Sequence, residues 1–304
     1  MSTRPTVHVP HLGGIDVSYQ KSKHPHNANK PTLVLVHSFM TTSDLYRPQL
    51  ENEEITKAAN LIAIDLLGHG QTRISDQSGA GAGENFTYWD SATMIIQAMQ
   101  ALGVEKYFVL GTSQGGFVAV RMALLAPKKI LGLLPLGTSM DFESPRTRTL
   151  GCWDINPLGN ALIGGWTSPT PTPDFRLDSQ FCTTLTTLGF GPDCYMDLRD
   201  FWIRETTENY TGDAGRRRAR MACINLRDRD GLHERLFDVV CPVLWVQGTA
   251  DQVYSVANAE EEIKLFVNSK EARLKVVQDG QHFLSASHPK ETAEAVLEFL
   301  GKYS

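Results

Sequence analysis

The residues of this sequence best placed for chemistry are a serine, a histidine and an aspartate that sit far apart along the chain. Ser113 lies in Gly111-Thr112-Ser113-Gln114-Gly115, a G-x-S-x-G pentapeptide between the apolar run Tyr107 to Leu110 and a helix-like run from Phe117 to Ala126. In that context the pentapeptide reads as a nucleophile elbow. A serine hydroxyl attacks a carbonyl carbon only when a base stands beside it and the substrate can reach it. A sharp strand-to-helix turn exposes the hydroxyl, strains the serine backbone and leaves room beside it only for residues without side chains. The following helix aims free N–H groups at the turn, where an oxyanion would form. A glycine-rich connector without chemistry is the plainer alternative, and the flanking runs count against it.

The base and its orienting acid are expected just past other strands. His282, in Asp279-Gly280-Gln281-His282-Phe283, follows the last apolar run and is favoured as base over His288, which stands before Pro289 and reads as the opening of the final helix. Asp251, in Gly248-Thr249-Ala250-Asp251, is favoured as the acid, with Asp141 as the alternative; the order Ser113, Asp251, His282 is the order such a site takes on an α/β sheet. The oxyanion donors are expected to be the backbone N–H of Gln114 and, from the loop after Val36, that of Phe39, with Met40 less favoured. Met40, Trp153 and Trp202 are expected at the substrate. His37 reads as a loop-bracing residue, Asp65 as part of a compact Asp-x-x-Gly-x-Gly turn, and Arg216-Arg217-Arg218-Ala219-Arg220 as a solvated helix face with a carboxylate anchor as its alternative. His24 and His26 sit in a polar loop without a further ligand. No phosphate-binding G-x-x-x-x-G-K-[ST] and no H-E-x-x-H is present, and Gly68-His69-Gly70 lacks the third glycine of a dinucleotide loop, so neither metal nor cofactor is expected.

Positioning these groups requires a sheet. Thr32 to Val36, Leu61 to Ile64, Tyr107 to Leu110, Ile130 to Leu136, Pro242 to Gln247 and Leu274 to Val277 are continuously apolar or nearly so, as strands buried on both faces are. Helix-like stretches alternate with them: Ser43 to Leu50 with Ser43 as cap, Asn85 to Leu102, the elbow helix, Val256 to Val267 and Pro289 to Leu300. Thr6 to Val9 and Ile15 to Gln20 read as a hairpin around Gly13-Gly14. Alternation of this kind implies βαβ units and a parallel sheet, which carries its ligands at the carboxyl ends of the strands. The rhythm fails between residues 141 and 237, a Thr-, Pro- and Gly-rich region too long for a connection. Residues 1–140 and 238–304 therefore read as one core and 141–237 as an inserted lid of short helices.

Composition narrows the class. At 304 residues, 41% hydrophobic, the chain can bury a large core; a net charge of −5 and a pI near 6.0 give no footprint for nucleic acid or a membrane surface. The five cysteines are dispersed without a C-x-x-C pair, which argues against a zinc site or disulfide framework. Met1 to Pro10 has no apolar run like a signal peptide, and no stretch is long enough to span a bilayer, so a cytoplasmic protein is expected and the two Asn-x-Thr sequons, at Asn85 and Asn209, are read as chance.

Five blocks in this order, His37-Ser38-Phe39, Asp65-Leu66-Leu67-Gly68-His69-Gly70, Gly111 to Gly116, Gly248-Thr249-Ala250-Asp251 and Gly280-Gln281-His282-Phe283, resemble the α/β-hydrolase superfamily over nearly the whole chain outside the lid. The resemblance implies an α/β-hydrolase fold: a mostly parallel eight-stranded sheet flanked by helices, an inserted lid domain, and a Ser-Asp-His triad that needs no cofactor. Within the superfamily the core is similar to single-chain esterases, enol-lactonases and cofactor-free haloperoxidase-like enzymes. His37-Ser38 replaces the usual His-Gly, and Met40 stands where glycine is common. Ser113 argues against dehalogenases and epoxide hydrolases, whose nucleophile is aspartate. The expected reaction is hydrolysis of a small-to-medium apolar ester or lactone. Carbon–carbon bond hydrolysis, acyl transfer and a ligand receptor on the same scaffold remain alternatives, and a homodimer is left open.

Overall fold

The computed structural model describes residues 3–75 and 85–304; residues 1–2 and 76–84 of the expected core lie outside the described residues. Among the described residues nine strands form one sheet: β1 (Thr6–Val9), β2 (Ile15–Lys21), β3 (Thr32–Val36), β4 (Asn60–Ile64), β5 (Arg73–Ile74), β6 (Tyr107–Thr112), β7 (Ile130–Leu136), β8 (Val243–Gly248) and β9 (Ala272–Val277). Their order is β1-β2-β4-β3-β6-β7-β8-β9, with β5 paired to β2 off this path. β1, β2 and β5 pair antiparallel, as does β2 with β4; every pair from β4 through β9 is parallel. The path thus holds the eight expected strands, and β5 is the addition. Two residues are too few to show a period of two.

All five residues of β3 are buried, because helices cover both faces. Leu33 and Leu35 join Phe108, Leu110, Leu134 and Leu244 on the face packed by the helix Pro289–Tyr303. Val34 and Val36 point the other way, with Ile62, Ile64 and Val109, toward the helices Tyr88–Ala101 and Gln114–Leu125. Successive side chains of a strand face opposite layers, so one continuous apolar run serves two cores. The helix after β3 begins as a 3-10 turn over Ser43–Tyr46, and its cap is Thr42, whose side chain accepts from Asp44 N–H, one residue before the expected Ser43.

Between β7 and β8 the chain runs through helices Pro145–Thr149, Asn156–Gly165, Ser179–Phe190, Met196–Asn209 and Gly212–Arg227, with no strand among the described residues. Of the arginine run in the last helix only Arg217 is exposed; Arg216, Arg218 and Arg220 do not form the expected solvated face. Arg216 is buried and donates to Trp166 O at 2.7 Å and Thr172 Oγ1 at 2.7 Å, Arg218 to Asn209 O at 2.5 Å, and Arg220 to Thr167 Oγ1 at 2.8 Å. Their acceptors are two backbone carbonyls and two threonine hydroxyls of the segments before the helix, which are thereby tied to it.

Asp65, just past β4, is a fully buried charge. Both of its oxygens accept from Arg4 Nη1, at 3.0 and 2.8 Å, and from the N–H groups of Ser43 and Gln71, at 2.8 and 2.9 Å; Arg4 also pairs with Asp44. A Cβ at Gly70 would fall inside this carboxylate. Burial opposes the charge of Asp65, but Arg4 and the backbone donors outweigh it and hold its pKa below the ordinary aspartate value. A depressed carboxylate contributes stability that is present above the unfolded pKa, near 4, and is lost as pH falls through the folded one. Asp65→Asn should therefore be less stable at neutral pH, by roughly 3–5 kcal/mol, and the gap from the parent should narrow below about pH 4. Thermal unfolding of both proteins across pH checks this; a gap that widens in acid would refute it.

Candidate active site

Ser113 is the residue between β6 and the helix Gln114–Leu125, and its backbone sits at φ 54° and ψ −116°. That conformation costs a residue with a side chain about 1–3 kcal/mol, so the surroundings must enforce it. The flanking glycines show how. A Cβ at Gly111 would lie 2.1 Å from Gly115 O, and one at Gly115 would lie 1.9 Å from Val36 O, so strand, turn and helix touch backbone to backbone. For the same reason the helix starts at Gln114, three residues before the apolar period that announces it.

The sheet brings Ser113, His282 and Asp251 together. Ser113 Oγ lies 2.9 Å from His282 Nε2, and His282 Nδ1 lies 3.0 Å from Asp251 Oδ2. All three come from the carboxyl ends of strands: Ser113 after β6, Asp251 after β8, His282 after β9. Asp251 is itself held. Its Oδ1 accepts from Val253 N–H and Tyr254 N–H, at 2.8 and 3.0 Å, and its Oδ2 from Gln247 Nε2 at 2.8 Å. A carboxylate facing Nδ1 fixes the imidazole proton there and leaves Nε2 to accept from the serine. The alternatives lie elsewhere. His288 begins the final helix, 3.0 Å from Ser287 Oγ, and Asp141 accepts from Ser144 Oγ and Phe142 N–H.

The loop after β3 closes on itself: Ser38 O accepts from Thr41 N–H at 3.3 Å, Thr41 Oγ1 at 2.8 Å and His37 Nδ1 at 2.8 Å. Its corner is Met40, at φ 56°, the left-handed region that favours glycine. Phe39 and Ser38 line the same cavity as Ser113. Gln114 is the first residue of its helix, so its amide has no intrahelical acceptor. The Gln114 side chain is pinned from outside the elbow, with Oε1 accepting from Tyr88 Oη at 3.2 Å and Nε2 facing His69 Nε2 at 3.3 Å. His37 Nε2 accepts from Leu66 N–H at 2.9 Å. Burial pushes His37 down to about 4 and His69 to about 3, so both stay neutral and brace the loops as fixed hydrogen-bonding wedges.

Ser113 opens into a mostly apolar cavity whose far wall comes from the 141–237 region. Ile155, Leu158 and Leu162 come from or just before one helix, Phe181, Leu185 and Leu188 from the next. Spacings of three and four residues put each set on one helix face. Glu143, Trp153, Thr184, Gly189 and Leu226 add to this side, and Tyr254 lines the cavity from the segment after β8. Two residues expected at the substrate are not on it. Met40 is fully buried, its carbonyl accepting from Thr206 Oγ1 at 3.4 Å. Trp202 stacks on Phe190, ring centroids 6.0 Å apart, in a separate apolar cluster with Leu45 and Phe283. Their sizes and types suited a binding wall, but packing uses them to seat the helix Met196–Asn209 on the core. Glu143, Arg229 and Tyr254 carried no local signal, since the three lie on separate segments that only the fold unites.

Residues 31–150 match the family model described as alpha/beta hydrolase fold. The monoacylglycerol lipase ABHD6 of Mus musculus is 23% identical over 278 residues, covering 90% of this chain and 76% of the relative. Among solved structures, a thermophilic esterase from Thermogutta terrifontis superposes with a TM-score of 0.73 at 18% identity, over 98% of this chain and 99% of its own. The enol-lactonase from Burkholderia xenovorans LB400 gives 0.74 at 16%, over 97% and 100%. At such identities the structural likeness is one of fold. No described helix is long and apolar enough to cross a membrane.

Proposed function

We propose that this chain, a member of the α/β-hydrolase superfamily, hydrolyses small-to-medium apolar carboxylic esters or lactones through a serine-bound acyl intermediate. The observation that carries this reading is the unbroken chain of short contacts from Ser113 Oγ through His282 to Asp251, 2.9 and 3.0 Å, opening on an apolar cavity. Ser113 Oγ attacks the ester carbon as its proton passes to His282 Nε2. The N–H groups of Gln114 and Phe39 hold the oxyanion. The tetrahedral centre collapses, the ester C–O bond breaks, and His282 returns the proton to the departing alcohol. Water then gives a proton to His282 and its oxygen to the acyl carbon; the bond to Oγ breaks, Oγ recovers the proton, and the acid leaves. Asp251 stabilises the transient imidazolium and holds the ring in the productive tautomer. The likeness to the mouse lipase and to the esterase and lactonase structures favours carbonyl–oxygen cleavage over other uses of these groups.

In this reading residues 141–237 act as a lid. Its leucines and phenylalanine shed water when an acyl chain lies against them, each buried methylene contributing about 0.8 kcal/mol. A fluorophosphonate probe tests the assignment. It should add to the wild-type chain at Ser113 and leave Ser113→Ala unmarked, and turnover in oxygen-labelled water should place the label in the acid product. Adduct mass mapped to any other residue would overturn the reading.

A further inference from the structure

Away from the reacting atoms the cavity wall carries the exposed Thr184 and one buried polar place. Glu143 and Tyr254 both line the cavity, 7% and 3% exposed. Behind them Arg229, 6% exposed, binds Glu143 in bidentate fashion, Nη1 to Oε2 at 2.6 Å and Nη2 to Oε1 at 3.0 Å, and its Nη2 also donates to Tyr254 Oη at 3.5 Å. The guanidinium is otherwise spent on Asp141 O and Leu226 O and lies 4.3 Å from the Phe117 ring centroid.

Hydrogen-bonding capacity is left over. A carboxylate has about four lone-pair sites, and Arg229 takes two of those on Glu143. Tyr254 Oη accepts from Arg229, so its own proton remains to be given, and among the described residues nothing accepts it. An ion pair that only fastened two segments together would not need that hydroxyl: a phenyl ring would pack equally well on Phe117 and His282, which the Tyr254 ring meets at 6.1 and 5.7 Å. A spare donor and a spare acceptor therefore gather round one guanidinium nitrogen, in a wall otherwise built from Leu158, Leu162, Leu226 and their neighbours.

We propose that the cavity takes an ester carrying an alcohol hydroxyl remote from the scissile carbonyl, accepting from Tyr254 Oη and donating to the Glu143 carboxylate. The proposal rests on the ester-hydrolase reading above and names the substrate class within it. A hydroxyl is the group that both accepts and donates from a single atom. A carboxylate would meet Glu143, an ammonium would meet Arg229, and a bare alkyl end would leave the tyrosine proton unpaired in an apolar wall, which costs about 1–3 kcal/mol. The hydroxyl can belong to the acid or to the alcohol half of the ester.

Matched substrates separate these cases. One arm pairs nitrophenyl esters of straight-chain acids of increasing length, each with and without a terminal hydroxyl. The other pairs monoesters of a terminal diol with esters of the plain alcohol. In the wild type, kcat/KM should favour the hydroxylated member of one arm by about tenfold at its best length, and Tyr254→Phe should reduce that ratio to near unity. Equal rates within every pair, or a preference that survives Tyr254→Phe, would overturn the proposal. Should Tyr254→Phe fail to fold, the wild-type ratios alone decide. If the wild type cleaves none of the esters, the hydrolase reading falls, and thermal protection of the wild type by the hydroxy acids and diols against their plain counterparts then decides this one: equal protection refutes it.

Discussion

Ser113→Ala should lose about 10⁶-fold in kcat on a model ester while keeping its thermal unfolding temperature. The size of the loss follows from what the hydroxyl does. Without Oγ no covalent intermediate forms, and His282 has only bulk water to activate from a position built for the serine. What survives is the binding and oxyanion-stabilising power of the cavity, worth about 10³–10⁴ over the uncatalysed rate. Stability should change little because the strain at φ 54° is imposed by Gly111, Gly115 and Val36, which meet backbone to backbone whether residue 113 is serine or alanine. Turnover of the variant within tenfold of the parent would refute the assignment of Ser113 as nucleophile.

Asp251→Asn should cost about 10⁴-fold in kcat with little change in KM. The substitution is nearly isosteric, so its effect isolates hydrogen-bond direction. Val253 N–H and Tyr254 N–H both donate to Oδ1, and an asparagine must present its carbonyl oxygen to them. Its NH₂ then faces Gln247 Nε2 and His282 Nδ1. The imidazole can only accept there, its proton moves to Nε2, and Nε2 no longer takes a proton from Ser113. Steady-state kinetics, with the fold checked by circular dichroism, decides the matter: a variant retaining a tenth of the parental rate would show that Asp251 does not set the tautomer.

The parts of this architecture legible in the sequence are those enforced locally. β3 and β6 read as strands because burial on both faces demands unbroken apolar runs, and the elbow reads as a turn because nothing but glycine fits at 111 and 115. The relative placement of Ser113, Asp251 and His282 was legible because each follows a strand on the same edge of a parallel sheet. The 141–237 region was not legible in detail. Thr, Pro and Gly dilute its helical signal, although Phe181, Leu185 and Leu188 do keep a spacing of four and three that marks the cavity face of their helix. Met40 and Trp202 were misplaced because residue type does not distinguish a wall of the cavity from the packing behind it. Arg216 was misread because an arginine run says nothing of the carbonyls it will meet. Glu143 and Arg229 stand 86 residues apart, beyond any periodic pattern.

The pairing that joins Glu143 to Arg229 also fastens the start of the helical region to its end, as does the bond from Leu232 N–H to Met140 O at 2.8 Å. Chain leaves and re-enters the sheet through one narrow doorway. Because the gap it must bridge is closed in advance, length added or removed between those points changes the closure entropy only slowly, about 0.6 kcal/mol per doubling. On the reading proposed above, replacing the helices between those points would rebuild the far wall of the cavity while leaving Ser113, His282 and Asp251 on the strands that hold them.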